Sequence, residues 1–224
     1  MLAKNPAQSF SEENYLKVIY RLGLVGAEKI SLTAIAEALN NNPASVVDMI
    51  KKLGDKKLIQ YEKSKGVKLT DKGKKIALLV VRKHRLWEVF LLEKLGYTWD
   101  EVHDIAEQLE HIHDPQLADR LDKFLGFPLY DPHGDPIPKA NGEMAVTYKT
   151  TLAEVADSKS CQVAGVKDTN SLFLQYLKKL NIGIGAKITV VEKIPFDNSI
   201  IIMIGENIKT TVSKAFAENL LVHE

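Results

Sequence analysis

Histidine and carboxylate side chains are concentrated between residues 84 and 113, where four of the six histidines fall. Residues four apart in a helix differ by roughly 40° around its axis, so they share one face. His84 and Glu88 form such a pair. Spacings of three or four residues also join the members of a second group, which are His103, Glu107, Glu110 and His111. Two neighbouring helices would therefore present nitrogen and oxygen ligands without sulfur.

This combination of ligands suits a divalent transition ion, because imidazole and carboxylate bind manganese, iron(II), cobalt, nickel and zinc. The alternative is a solvated helical surface on which histidines pair with carboxylates one turn away. For any single pair we favour that alternative. For the whole array we favour a metal site, because so many acidic groups without a cation would repel one another. The lack of thiol or thioether favours manganese or iron(II) over copper, although affinity order alone favours zinc.

The other candidate reactive groups give no sign of catalysis. His113, His133 and His223 lack helically spaced partners, so we predict that they lie on the surface. Cys161 begins a predicted core strand and is expected to be buried. A single cysteine excludes an internal disulfide framework and a multi-cysteine metal site. No nucleophile–base motif and no phosphate-binding glycine loop is present, so we predict that the protein is not an enzyme.

Composition and charge place the chain among folded proteins with a charged partner. The 224 residues are 45% hydrophobic and 26% charged. The apolar runs are too short to span a bilayer and no signal peptide is visible, so we expect a cytoplasmic protein. The net charge is +6 over residues 1–75, −6 over 76–145 and +1 over 146–224. Either charge fluctuates by chance between segments, or the basic part binds a polyanion and the acidic part binds cations.

The basic part has the pattern of a winged helix-turn-helix. A capping box at Ser9 opens a helix to about Leu22, and Thr33 can cap a second helix. Asn42 precedes Pro43, which is typical of a helix start. The residues predicted to face inward in this third helix are Val46, Val47, Ile50 and Leu53. Alternating runs at 58–62 and 67–70, on either side of a polar tip, predict a β-hairpin.

The third helix and the hairpin carry the predicted DNA contacts. Short side chains in the first turns can approach base edges in a major groove, and lysines can contact phosphates. The predicted base-facing residues are Pro43, Ala44, Ser45 and Asp48. The predicted phosphate contacts are Lys51, Lys52, Lys63, Lys65 and Lys68. This helix has no arginine to pair with guanine, so specificity depends on A·T contacts or on DNA shape.

Helices, a linker and a β domain follow. We predict one long helix from Asp71 to about Leu95, one from Thr98 to about His113, and one from Asp114 to Gly126. The predicted strands are 161–166, 188–191, 200–204 and 220–223, with a helix at about 171–180. The predicted domains are a winged helix-turn-helix (1–75), a helical metal-binding and dimerisation domain (76–127), a Pro/Gly-rich linker (128–145) and a small β-barrel (146–224). The fold class is mainly α with a small β domain.

These segments together resemble the diphtheria-toxin-repressor and manganese-transport-regulator family of metal-dependent bacterial repressors. The similar segments are ENYL at 13–16, IAEAL at 35–39, PASVVDMIKKL at 43–53, LTDKG at 69–73, RKHRLWE at 82–88 and VHDIAEQLEH at 102–111. The segment from about residue 146 is similar to the FeoA-type, SH3-like barrel of longer family members. The resemblance implies a homodimer that binds operator DNA and represses transcription when manganese or iron(II) is bound.

The resemblance also implies two groups of metal ligands. The principal site comprises Glu107, Glu110 and His111, completed by a first-helix residue that here is Asn14. The ancillary site comprises His84, Glu88 and His103, and in some members the barrel adds a ligand, near Asp168 here. Family members usually have Asp or Met in place of Asn14, and the manganese regulators have a glutamate ligand in place of Lys17. The second departure favours two separated sites over a pair of adjacent ions.

Three functions are compatible with these patterns. In the favoured one, a metal ion bridging the first and middle helices fixes two DNA-binding heads at the spacing of successive major grooves, roughly 34 Å. A metal-dependent hydrolase is the rival, since such clusters also activate water, but no general base outside the ligand set is visible. The third is a winged-helix protein that binds DNA regardless of metal.

Overall fold

A computed structural model describes residues 9–24, 29–147 and 150–223. The chain forms two compact units. The first contains the described residues up to His84 together with 107–121 and 138–143. The second contains 85–106, 122–137 and the described residues from Met144 onward. The chain therefore passes from one unit to the other within three helices and twice in the segment 137–144.

The first unit is built around a winged helix-turn-helix. Its elements are α1 (Phe10–Leu24), α2 (Leu32–Leu39), α3 (Pro43–Asp55), β1 (Ile59–Glu62), β2 (Gly66–Leu69) and the start of α4 (Asp71–Leu95). The strands pair antiparallel, from Ile59 opposite Leu69 to Glu62 opposite Gly66. Gly66 has φ of +76°, and an added Cβ would lie 2.5 Å from the Ile30 carbonyl oxygen, so this position requires glycine.

The helix-turn-helix confirms the predicted α3 and corrects two details. Asn42 caps α3 by accepting from the Ala44 N–H at 2.8 Å. The cap of α2 is Ser31, which accepts from Ala34 N–H, so the prediction of Thr33 was wrong. Val47 is 51% exposed, so the prediction that it faces inward was also wrong. The apolar side chains that form the core here include Leu16, Ile19, Ile35, Val46, Ile50, Leu53, Leu58 and Val67.

The helices α5 (Val102–Leu109) and α6 (Leu117–Phe124) follow α4. Both are shorter than predicted. The chain leaves α5 at Leu109, so Glu110 and His111 lie in a turn instead of continuing the helix. Among the described residues, every helix is too short or too polar to cross a lipid bilayer.

The β domain of the second unit is a five-stranded antiparallel sheet in the order β6-β5-β4-β3-β7. Its elements are β3 (Ser160–Val166), α7 (Ser171–Lys179), β4 (Lys187–Lys193), β5 (Ile200–Ile204), β6 (Ile208–Val212), α8 (Lys214–Asn219) and β7 (Leu220–His223). The predicted strands and α7 are confirmed, whereas β6 and α8 were not predicted. Cys161 is buried in the sheet core, as predicted.

Candidate metal centres and nucleic-acid interface

Glu110 is the centre of a buried cluster in the first unit. Its side chain is 0% exposed. One carboxylate oxygen, Oε2, lies 2.6 Å from His84 Nδ1, and the other, Oε1, accepts from the Lys17 ammonium at 2.6 Å. Burial raises the pKa of Glu110, but the hydrogen bond with His84 and the charge of Lys17 outweigh it and leave the pKa below its ordinary value. Glu110 is therefore an ionised carboxylate.

His111 is held in place by the first helix. Its Nδ1 lies 2.6 Å from Glu13 Oε2, and the Phe10 ring stacks on the imidazole with centroids 4.9 Å apart. The other ring nitrogen, Nε2, lies 3.5 Å from Glu110 Oε1. A carboxylate on one imidazole nitrogen orients the ring so that the other nitrogen can bind a metal. Glu13 lies in the family-like segment ENYL, but nothing in the sequence pattern predicts this role for it.

Glu13 and Lys17 provide polar contacts from α1 to α5 and to the turn that follows it. Lys17 Nζ donates to Glu107 Oε1 at 3.1 Å as well as to Glu110. Glu107 is half-exposed, and Asn14, the predicted fourth ligand, is half-buried on α1. The structure thus brings His84, Glu107, Glu110 and His111 together. Glu13 and Lys17, which lie on either side of Asn14 in α1, contact this group. We call the set Glu13, Lys17, His84, Glu107, Glu110 and His111 the first cluster.

A second cluster in the second unit is equally buried. Glu88, Asp131 and His133 each offer a ligand atom, and these atoms lie within 4.8 Å of one another. His103 Nδ1 lies 3.3 Å from Glu88 Oε1. His84 precedes Glu88 by one turn of α4. We call Glu88, His103, Asp131 and His133 the second cluster. Asp131 and His133 were not among the predicted ligands.

The loop that supplies Asp131 and His133 is ordered by its own backbone. Asp131 Oδ1 accepts from the N–H groups of His133 and Asp135 at 2.8 and 2.9 Å. The His133 carbonyl accepts from Val166 N–H at 2.9 Å, which attaches the loop to β3. Gly134 has φ of +87°, and an added Cβ would clash with the Ala164 carbonyl oxygen. His133 is only 3% exposed, so the prediction that it lies on the surface was wrong.

The second cluster is short of positive charge. Burial, then the charges of Glu88 and Asp135, raise the pKa of Asp131 to about 7. Burial lowers the pKa of His133, but its hydrogen bond with Glu88 and the charges of Glu88 and Asp131 together outweigh burial and leave the pKa above its ordinary value. Arg85 Nε lies 3.4 Å from Asp131 Oδ2, while its other nitrogens contact Asp135 and the Pro136 carbonyl.

Both clusters suit a divalent cation. Each combines imidazole nitrogen with carboxylate oxygen, and buried acidic groups of this kind require a proton or a positive charge nearby. Burial also weakens the alternative of a solvated helical surface, since Glu88 is 2% exposed and Glu110 is 0% exposed. Asp168, considered as a ligand from the barrel, is exposed and accepts from the Asn170 N–H.

All the side chains predicted to contact DNA are exposed. Pro43, Ala44, Ser45 and Asp48 lie in the first two turns of α3, where the exposed side chains are short. Lys51 and Lys52 follow on the same helix, and Lys52 also pairs with Glu12 at 3.1 Å. Lys63, Lys65 and Lys68 lie on the hairpin. An exposed helix next to a basic hairpin is the arrangement of a winged-helix DNA-binding domain.

Comparisons with known proteins agree with this architecture. The N-terminal DNA-binding domain of iron-dependent repressors matches residues 9–67, their metal-binding and dimerisation domain matches 70–139, and the FeoA domain matches 150–224. The iron-dependent repressor IdeR of Mycobacterium tuberculosis (strain ATCC 25618 / H37Rv) is 35% identical over 126 residues, which are 56% of this chain and 54% of IdeR. The chain thus spans about half the length of this relative.

Two further relatives match over more of their own length. The transcriptional regulator MntR of Oceanobacillus iheyensis is 37% identical over 117 residues, which are 52% of this chain and 78% of MntR. A solved manganese-dependent transcriptional repressor in complex with manganese aligns with a TM-score of 0.82 at 34% identity, covering 94% of this chain and 98% of that one.

Fold and clusters define a winged-helix protein with buried histidine and carboxylate centres and a FeoA domain. The chain belongs to the family of metal-dependent transcriptional repressors that includes the iron-dependent repressors and the manganese regulators. The resemblance inferred from the sequence motifs is therefore confirmed. These relatives are named as repressors and regulators, so nothing in them supports the hydrolase alternative.

Proposed function

We propose that this protein is a cytoplasmic, homodimeric repressor that binds operator DNA when manganese or iron(II) is bound. The observation that carries the proposal is the first cluster, in which Glu13 and Lys17 of α1 contact His111 and Glu110 in the turn after α5 through buried side chains. The matched domain descriptions, which name DNA binding, metal binding and dimerisation, support the same function.

We assign the principal metal site to Glu107, Glu110 and His111, with Asn14 as the expected ligand from α1. His84, an expected ancillary ligand, lies 2.6 Å from Glu110. When bound, a divalent ion supplies positive charge and directional bonds to these groups. Glu13 orients the His111 imidazole through Nδ1 and leaves Nε2 toward Glu110. Because α1 carries Glu13 and is part of the winged helix-turn-helix, the geometry of this cluster is coupled to the position of α3. Couplings of this kind typically change affinity by about 5- to 150-fold.

The second cluster is assigned to an ancillary site. The expected ligands from the sequence are His84, Glu88 and His103, and the burial of Asp131 and His133 against Glu88 adds two candidates. Glu88 is therefore the ligand around which this site is built. Asp131, with a pKa of about 7, holds a proton part of the time at neutral pH, and binding of a cation would release that proton to solvent.

Operator binding measured across buffered divalent ions tests the function. The DNA is a duplex selected from a random pool with the manganese-loaded protein, and the measurement is fluorescence anisotropy with manganese, iron(II), cobalt, nickel, zinc or a chelator. We expect affinity to increase with manganese or iron(II) and to fall when metal is chelated. Equal affinity with and without metal would instead support a metal-blind winged-helix protein.

An assay for enzymatic turnover tests the alternative that the protein is a metal-dependent hydrolase. If the clusters activated water for hydrolysis, the manganese- or zinc-loaded protein would cleave phosphate ester or peptide substrates. We expect no turnover above that of the Glu110→Gln variant, because these clusters serve to bind metal.

A further inference from the structure

Lys17 is the basic group of the first cluster. Its side chain is 7% exposed, and its ammonium donates to Glu110 Oε1 at 2.6 Å and to Glu107 Oε1 at 3.1 Å. Lysine is almost never buried unless it is paired. Here both partners are acidic groups of the metal-binding set, so the lysine provides the positive charge that these carboxylates require.

The position of this ammonium conflicts with a metal ion. Glu110 Oε1, which accepts from Lys17, is also the oxygen that faces His111 Nε2 at 3.5 Å. The other oxygen, Oε2, is engaged by His84 at 2.6 Å. An imidazole can exchange its hydrogen bond for a metal bond through its lone pair. An ammonium has three donors and no acceptor, so it cannot become a ligand.

We propose that Lys17 is an internal cation that a metal ion must displace from Glu107 and Glu110, so that Lys17 sets the metal concentration at which the site fills. This inference rests on the proposed function of the cluster. Its consequence is that the carboxylates are always neutralised, by the ammonium at low metal concentration and by the ion at high concentration. The protein therefore responds only when the metal concentration exceeds the threshold that Lys17 imposes.

Lys83 provides a matched control. It is also a buried lysine close to this cluster, and burial, opposed by the charges of Glu13 and Glu110, lowers its pKa. Within the described part of the chain, its ammonium donates to the Ile112 carbonyl at 3.4 Å instead of to a carboxylate of the set. Replacing Lys83 therefore removes a neighbouring positive charge without removing the competing contact.

Manganese affinity of the full chain tests the displacement. We measure it by competition with a fluorescent chelator in wild type, Lys17→Met and Lys83→Met. Because a charge-assisted hydrogen bond no longer opposes the ion, we expect Lys17→Met to bind manganese roughly 10- to 100-fold more tightly than wild type. We expect a smaller gain in Lys83→Met. An affinity of Lys17→Met equal to that of wild type would overturn the inference.

A measurement on wild type removes any dependence on the folding of a variant. The full chain is pulse-labelled with an amine-acetylating reagent, with and without saturating manganese, and labelling of each lysine is quantified by mass spectrometry. We expect Lys17 to become more reactive with manganese, while Lys139, which is 61% exposed, reacts equally in both. Unchanged protection of Lys17 at saturation would overturn the inference.

The proposed function and the displacement of Lys17 by metal are contradicted by different results. If none of the three proteins binds manganese, the proposed function is contradicted and the inference with it. If all three bind manganese with the same affinity, the inference alone is contradicted.

Discussion

The first and second clusters contain the same ligand types but balance their charge differently. In the first, the Lys17 ammonium lies 2.6 Å from Glu110, and the pKa of Glu110 is below its ordinary value. In the second, Arg85 is shared between Asp131, Asp135 and the Pro136 carbonyl, and the pKa of Asp131 is raised to about 7. Burial and the charges of Glu88 and Asp135 raise the pKa of Asp131, whereas contacts with His84 and Lys17 offset burial at Glu110.

This difference gives the two clusters different roles. The first contains an ammonium that contacts two carboxylates, and its members come from α1, α4, α5 and the turn after α5. Because α1 belongs to the winged helix-turn-helix, a change in the first cluster affects the DNA-binding domain directly. The second is built from α4, α5 and one loop attached to β3, so its effects are local to the second unit. We therefore expect operator binding to depend more on the first cluster and pH-dependent stability more on the second.

The largest expected effect is the loss of the metal response on changing Glu110 to Gln. The substitution keeps the shape of the side chain but removes the charge, so the whole metal-dependent gain in operator affinity, about 5- to 150-fold, should disappear. Glu88→Gln, the matched change in the second cluster, should retain most of that gain. Anisotropy titrations with and without manganese measure both. Equal losses in the two variants would contradict the distinction between the clusters.

Glu13→Gln should have the next largest effect. Glu13 holds Nδ1 of His111, and removing such an orienting carboxylate typically weakens metal affinity by roughly 10- to 100-fold. The measurement is manganese affinity by chelator competition. His113, whose Nδ1 lies 3.7 Å from the other Glu13 oxygen, is 38% exposed, so His113→Gln is the control and should leave affinity near the wild-type value. A manganese affinity of Glu13→Gln equal to that of wild type would contradict the role of Glu13 in orienting His111.

Helical spacing in the sequence identifies His84, Glu88, Glu107 and Glu110 as candidate ligands, although Glu110 lies just beyond the end of α5. The sequence also predicts α3, the hairpin and the fold class. Glu13 and Lys17 carry no such signal, since their partners His111 and Glu110 lie 98 and 93 residues away in the chain. Only the fold can bring such distant residues together.

The loop at Asp131 and His133 shows where composition misleads. Pro and Gly residues crowd this segment, which predicts irregular backbone and a linker. The backbone is irregular, but residues 131–134 are buried because Gly134 allows close contact with β3. β6 and α8 were missed because β6 is largely exposed and α8 is six residues long, so neither gives a clear hydrophobic pattern.

A moderate effect on stability is expected from Asp131→Asn in the metal-free protein. A carboxyl whose pKa is raised by folding stabilises the fold at low pH, and this contribution is lost as pH rises from about 4 through the folded-state pKa of about 7. His133, with a raised pKa, acts in the same direction near neutral pH. The amide introduced by this substitution keeps an oxygen that can accept from the loop N–H groups.

Thermal melting from pH 5 to 8 measures this effect. We expect the Tm of wild type to fall relative to that of Asp131→Asn across this range, by a few degrees, since 1 kcal/mol corresponds to roughly 2–4 °C in a protein of this size. A constant difference in Tm across the range would show that Asp131 is ionised throughout, and that the second cluster has enough positive charge.

The smallest expected effect concerns the hairpin. If the exposed Lys63 contacts a phosphate, Lys63→Ala should weaken operator binding a few-fold and reduce the slope of log affinity against log salt by about 1. Lys179→Ala, on the exposed part of α7, is the control and should leave the slope unchanged. Parallel salt titrations of wild type and both variants measure this. An unchanged slope in Lys63→Ala would place this lysine away from the DNA.

The most direct test of the central claim is anomalous diffraction from crystals of the full chain grown with manganese. We predict a manganese peak bonded to Glu110 and to Nε2 of His111, with Glu13 still on Nδ1 and the Lys17 ammonium moved away from Glu110. The account would be contradicted if manganese were found elsewhere, with Lys17 still paired to Glu110 and with the imidazoles of His84 and His111 directed away from Glu110.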